Sequence, residues 1–437
     1  MIIDFSVTNF RSFQSEQLFS MNVEKGHSSL QGNFCEIEDG KFSVLKSAAI
    51  FGPNASGKSN LFEAFSALKW LVSNSKVLDE GDTIPTYQPF KLSPENKTKP
   101  VEFSIEFVAP SGIRYQYSVS FTKHRIISEN LYWFPKQKRA LVFSRTEEDT
   151  WETIRFGASY KGGDRRLSFF PNHTYVSRAG NDASAPDSIR EIVRYFRAIT
   201  IIDAGISMHV SNYYQHEGHL EAVGNLICLA DTGIKTITAE ERSSDEIQFP
   251  EDMPEEMKRA IQERNKISYK FWHEDRSGQQ VALEQGEISD GTAKLFEILP
   301  VLLTAISNGS PIFIDELDGH LHTNLVGLIF DLFNDPLANP LNSQLIVTTH
   351  DTNMMDSNKL RRDQIWLVAK ENGATVMTSL DEFDKGVVRS NSPFEDFYKD
   401  GRLGALPAIP YLKIREAVMG MPKKTGLIKG GDPYATG

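Results

Sequence analysis

At 437 residues the chain is long enough to bury a full core and carry two or three lobes, and its 40% hydrophobic and 24% charged residues exclude a disordered or collagen-like class. A net charge of −11 with a pI near 5.5 argues against an all-over nucleic-acid coat, while leaving room for a local basic groove from Lys136-Gln137-Lys138-Arg139 and Arg165-Arg166, runs that otherwise read as solvated loop charge. The longest apolar stretch, 298–306, is too short for a bilayer, Met1-Ile2-Ile3-Asp4-Phe5 lacks a secretion signal, and Cys35 and Cys228 form no disulfide framework or metal cluster, so a cytoplasmic protein with no membrane partner is expected.

In chain order, Ile3, Phe5 and Val7 alternate with Asp4, Ser6 and Thr8, the period of a half-buried strand, and Phe19, Met21 and Val23 repeat it. Ser47-Ala48-Ala49-Ile50-Phe51 is a short apolar strand running into a glycine-rich loop. Residues 60–72 then place Leu61, Phe65 and Leu68 at helical spacing. From 101 to 156 the period is two again, predicting a hairpin (101–107 and 113–121) extended by 126–134 and 141–145 into an antiparallel sheet. The polar segment 157–186 reads as loop. Helical spacing returns in 188–198 and in 254–273. The last third alternates: helix 292–306, strand 311–314, helix 324–333, strand 345–349, and a hairpin of 365–369 and 374–379. The tail from Lys423 reads as loose, and no heptad run is long enough for a coiled-coil arm.

Four of these places carry chemistry. Gly52-Pro53-Asn54-Ala55-Ser56-Gly57-Lys58-Ser59 fits G-x-x-x-x-G-K-S between a strand and a helix. Its glycines allow backbone N–H groups to converge on phosphate oxygens, with Asn54 and Ser56 as further donors. Lys58 is placed for the β- and γ-phosphates and Ser59 for Mg²⁺; the plainer alternative is a glycine-rich turn. Pro311-Ile312-Phe313-Ile314-Asp315-Glu316 is an apolar strand ending in two acids, suited to holding Mg²⁺ (Asp315) and polarising water (Glu316), or else simply to starting a helix. A second buried strand ends at His350-Asp351, where an imidazole can donate to a γ-phosphate. Ser289-Asp290-Gly291-Thr292 precedes the helix 292–306 and reads either as its cap or as a second anion site, one that caps a nucleotide held by another chain.

The order and wide separation of these elements resemble the ABC-type heads of SMC, RecF and OLD-family proteins. Val7-Thr8-Asn9-Phe10-Arg11-Ser12-Phe13 is similar to the opening of many such heads. Pro89-Phe90-Lys91-Leu92, the Ser289 to Thr292 signature, Asp315-Glu316-Leu317-Asp318-Gly319-His320-Leu321-His322 and Gly401-Arg402-Leu403-Gly404-Ala405-Leu406-Pro407 resemble the bacterial AAA-family ATP/GTP phosphatases of abortive-infection and RloA type. The chain departs from relatives at Gly319, where serine is common, and at Thr323, where proline is. The resemblance implies an α/β fold: a P-loop ATPase head of ABC/SMC type with an antiparallel β-lobe and an inserted helical lobe. The divisions expected are 1–100 and 286–410 for the two parts of the head, 101–185 for the β-lobe, 186–285 for the helical lobe and 411–437 for a tail.

It further implies ATP held by residues 52–59 with Asn60 and Arg11, Mg²⁺ at Ser59 and Asp315, and catalysis by Lys58, Glu316 and His350. Ser289, Gly291 and Thr292 would act across a head-to-tail dimer or larger homo-oligomer. For the glutamine that usually accompanies these elements, Gln88 and Tyr175-Val176-Ser177-Arg178 are the candidates. No acidic cluster for a Toprim nuclease follows the head, so the expected role is an ATP-hydrolysing sensor of a separate effector from the same operon in antiphage defence. A RecF-like DNA-repair ATPase and an ATP-dependent scaffold with little turnover are the rivals.

Overall fold

The computed structural model describes residues 1–24, 26, 29–37, 40–135, 138–204, 211–214, 218–230, 233–242, 253–264, 266–319, 321–406 and 410–419. Lys136, Gln137, His320, Pro407 and the tail from Lys423 lie outside them. Among the described residues no helix is long and apolar enough to cross a membrane.

Strands Thr200–Ile202, Ile312–Ile314, Leu345–Thr348, Ser47–Phe51 and Ile365–Glu371 lie side by side in parallel, and Ala374–Ser379 closes that edge antiparallel. Ser47–Phe51 is buried along its whole length, as a strand with both neighbours filled and both faces covered must be. Successive side chains point to opposite faces, so the sheet feeds two cores. Ala48, Ile50, Phe313 and Ile346 face the core of helix Lys58–Asn74. Ala49, Phe51, Ile312, Ile314 and Val347 face the core of helices Asp290–Asn308 and Thr323–Asn334.

A second sheet covers the other side of helix Lys58–Asn74. Its seven antiparallel strands run in the order Arg155–Phe156, Ala140–Thr146, Ile126–Trp133, Arg114–Phe121, Val101–Val108, Ile2–Thr8 and Gln17–Ser20. The hairpin and its extension form as expected, and the two N-terminal strands add to them: Phe5 pairs with Ile105 and Val7 with Phe103. Helix Lys58–Asn74 is therefore sandwiched, with Phe5 stacked on Phe65 at 3.9 Å on one side and Phe313 at 4.4 Å from Phe65 on the other.

The segment 254–273, expected as one helix, divides into helix Glu255–Arg264 and strand Ile267–Glu274. Ile267, Tyr269 and Phe271 sit at period two, and the strand pairs on both sides, with Ile234–Glu241 and Gln280–Glu284. The region 186–285 is thus mixed: helices such as Asp187–Ala198 and His219–Leu229 accompany a three-stranded sheet. The polar segment 157–186 holds a short helix, Tyr175–Ala179, capped by Thr174.

Candidate nucleotide site

The strand Ser47–Phe51 delivers the glycine-rich loop to the C-terminal rim of the parallel sheet, where ligands bind in open α/β folds. Both outer glycines are demanded by close approach. A Cβ on Gly52 would stand 2.3 Å from the Val368 carbonyl oxygen, and one on Gly57, at φ 111°, would stand 2.2 Å from Thr375 Oγ1. Helix Lys58–Asn74 starts with Gly57 as its cap residue and no side-chain cap, which leaves first-turn N–H groups for a ligand, apart from that of Asn60, which donates to the Gly57 carbonyl at 3.1 Å. Lys58 is 6% exposed, and its Nζ donates to the carbonyls of Gly52 at 2.8 Å and Pro53 at 3.3 Å. Burial lowers the pKa of its ammonium, against the opposing field of Asp315, Glu316 and Asp318. The three carboxylates thus lie within electrostatic reach of the loop lysine. The buried Ser56 hydroxyl has no hydrogen-bond partner among the described residues, a donor that a phosphate oxygen would satisfy.

At the end of strand Ile312–Ile314 the two acids are joined through one hydroxyl. Thr348 Oγ1 donates to Asp315 Oδ1 at 2.5 Å and accepts from the Glu316 N–H at 2.8 Å. Glu316 is held at φ 52°, a left-handed conformation that a non-glycine residue adopts at a cost, and its side chain is exposed at the rim. Asp318 accepts the His350 N–H with both carboxylate oxygens, at 3.1 and 3.2 Å. Thr348 and Asp318 thereby tie together the ends of adjacent strands. Neither has a role assigned from the sequence: Thr348 reads there as one more residue of a β-branched strand, and Asp318 only as part of the stretch Asp315 to His322.

Arg11, at φ 48°, donates through Nε to Gln88 Oε1 at 2.7 Å, and its Nη1 lies 3.1 Å from Glu63 and 3.4 Å from Asn60 Oδ1. With Ser12, Asn60, Gln88, Lys91 and Lys370 it lines a cavity of about 310 Å³ beside the first turn of the loop helix. Gln88 is therefore close to the loop. Tyr175 to Arg178 is at the far end of the same helix: Thr174 donates to the Leu71 carbonyl and Ser177 accepts from Lys76 N–H, roughly 20 Å from Lys58 at helical rise.

Ser289 caps helix Asp290–Asn308, accepting from Thr292 N–H at 3.2 Å, with the two hydroxyls 2.8 Å apart. The buried face of that helix, Leu295, Phe296 and Leu299, belongs to the core on the opposite side of the parallel sheet from the loop helix. Ser289 is exposed, with Gly291 and Thr292 half-buried, at a helix N-terminus.

Residues 47–356 match the family model described as "AAA domain, putative AbiEii toxin, Type IV TA system". Among solved structures the chain is similar to the SmcHead bound to the C-winged helix domain of ScpA (14% identity, TM-score 0.39, 87% of this chain and 98% of that one). It is also similar to a Smc head domain with an extended coiled coil bound to the C-terminal domain of ScpA, derived from Pyrococcus furiosus (13%, TM-score 0.38, 87% and 97%). A third is the recombination mediator protein RecF-ATPrS in the RecFOR pathway (12%, TM-score 0.33, 87% and 98%). No curated protein matches it in sequence. The matched span takes in the glycine-rich loop, the Ser289 cap, the paired acids and His350, and covers most of the chain, which therefore belongs to this AAA-domain family and is a P-loop ATPase.

Proposed function

We propose that two copies of the chain hydrolyse ATP in shared sites, each built from the phosphate loop of one copy and Ser289, Gly291 and Thr292 of the other. The pairing regulates a separate effector, a toxin or nuclease, in bacterial antiphage defence. The observation that carries the catalytic part is the buried Lys58 ammonium in the field of Asp315, Glu316 and Asp318. Lys58 and the loop amides bind the β- and γ-phosphates. The Ser59 hydroxyl and the Asp315 carboxylate are hard oxygen donors, and Thr348 occupies one oxygen of Asp315; these would hold Mg²⁺, which supplies neutralising charge on the phosphates. Glu316 takes the proton of the attacking water, and His350, its backbone fixed by Asp318, orients its imidazole toward the γ-phosphate. Ser289, Gly291 and Thr292 offer an exposed hydroxyl and a helix N-terminus to a partner's γ-phosphate. The toxin and toxin–antitoxin wording of the family description supports an effector link. The test is a phage challenge of cells carrying the intact operon or a Lys58→Ala version. Protection by the first and not the second is expected; equal phage growth with and without the wild-type operon would sink the defence reading.

A second reading has one observation in its favour. Residues 101–200 hold fifteen Lys and Arg against eleven Asp and Glu, in a chain whose net charge is −11. That local excess suits duplex DNA bound across paired heads. Filter binding would then show ATP-dependent DNA retention that falls steeply with salt, and its absence removes this reading.

A further inference from the structure

The phosphate loop is gripped from outside by a hydroxyl that no motif marks. Thr375, on the antiparallel edge strand Ala374–Ser379, is 1% exposed. Its Oγ1 lies 2.7 Å from the Ser56 carbonyl oxygen, 2.7 Å from Ser12 Oγ and 3.1 Å from Lys370 Nζ. A carbonyl only accepts, an ammonium only donates, and a threonine has one hydroxyl proton. That proton goes to Ser56, so Thr375 accepts from Lys370, and the Ser12 hydroxyl gives its own proton to Thr375. Ser12 is then free to accept from Asn60 Nδ2 at 2.6 Å, while Asn60 Oδ1 accepts from Arg11 Nη1 at 3.4 Å. This assignment satisfies every contact in the chain at once. A backbone bond from Thr375 N–H to the Ser12 carbonyl, 2.8 Å, anchors the arrangement.

The consequence for the loop follows from peptide geometry. In a trans peptide the C=O and the next N–H point in opposite directions. With the Ser56 carbonyl aimed at Thr375, the Gly57 N–H is turned the other way. The side chain at 375 also fills the space a Cβ on Gly57 would need, so the clamp leaves room only for glycine at 57. We infer that Thr375 is a positioning residue for the nucleotide: it holds the Ser56 carbonyl outward and so keeps the Gly57 N–H turned toward the phosphates before they arrive. The inference rests on the reading that residues 52–59 bind ATP.

The experiment is nucleotide titration by calorimetry together with steady-state ATPase kinetics on the full chain and on Thr375→Val and Thr375→Ser. Valine keeps the shape and removes the hydroxyl; serine keeps the hydroxyl. The expected result is an ATP Kd about tenfold weaker in Thr375→Val, with kcat at saturation within about twofold of wild type and affinity restored in Thr375→Ser. A purely structural role would lower the melting temperature of the nucleotide-free chain without splitting KM from kcat, and would overturn the inference. Unchanged affinity in Thr375→Val overturns it as well. If that variant does not fold, Ser12→Ala removes the next link and is expected to weaken ATP about threefold; wild-type affinity there is the overturning result. Wild-type chain that binds no ATP overturns the site reading and the inference together, whereas wild-type binding with an indifferent Thr375→Val overturns the inference alone.

Discussion

The Thr348 hydroxyl serves Asp315 and the backbone of Glu316 at once, so the two acids are placed as a unit. Two substitutions separate their roles. Glu316→Gln keeps the bonds of the loop and is expected to leave ATP binding intact while lowering phosphate release by two or more orders of magnitude, roughly the loss of a general base. Near-normal turnover would show that another group takes the proton. Thr348→Val removes the bridge without changing volume much, and should lower kcat on the order of tenfold or more, because a buried carboxylate loses its donor and the Glu316 N–H its acceptor. Thr348→Ser should retain most of the activity; equal loss in both variants would mean that strand packing, not the hydroxyl, is at stake. Lys58, Asp315 and Glu316 could be read from the sequence because each follows a local pattern of strand, turn and charge. Thr348, Asp318 and Thr375 could not, because their partners lie across strands and far along the chain.

Among the elements, the parallel strands Ser47–Phe51, Ile312–Ile314 and Leu345–Thr348 and the loop helix were legible because a fully buried strand is a continuous apolar run and an amphipathic helix keeps its spacing, whereas the three-residue edge strand Thr200–Ile202 was not. The strand Ile267–Glu274 was not, because its period of two is short and its meaning depends on partners at Ile234–Glu241 and Gln280–Glu284. The short helix Tyr175–Ala179 has a chemical consequence of its own. Just before it, His173 Nε2–H donates to the Leu78 carbonyl at 2.8 Å, and Nδ1 accepts from Phe170 N–H at 3.4 Å, which fixes one neutral tautomer. Burial, above all, holds its pKa below the ordinary 6.5. The unfolded chain therefore binds a proton first as the pH falls. Stability is intact above the unfolded pKa and declines as pH drops through about 6.5 toward the lower folded pKa. Urea midpoints measured at about pH 7.5 and about pH 5.5 should fall, and the fall should be smaller in His173→Gln. An unchanged difference in that variant would assign the slope to other groups.

For the whole molecule the question is whether the helix cap at Ser289 also works on a second copy. Aspartate caps a helix as well as serine does, but places a negative charge where a partner's γ-phosphate would lie. Ser289→Asp is thus expected to melt like wild type while losing most ATPase activity. Glu316→Gln alone is expected to form an ATP-dependent dimer in sedimentation, and adding Ser289→Asp should abolish it. Full activity in Ser289→Asp would confine Ser289 to its cap.

The strand order carries a further consequence, for the making of the protein. Ser47–Phe51 lies between Leu345–Thr348 and Ile365–Glu371, and the Ser56 carbonyl meets a hydroxyl 319 residues later. On the ribosome the loop emerges before both neighbours of its strand and long before the residue that grips it. A nascent chain thus displays a nucleotide motif it cannot yet use, and ATP can stabilise only a chain already synthesised past Thr375.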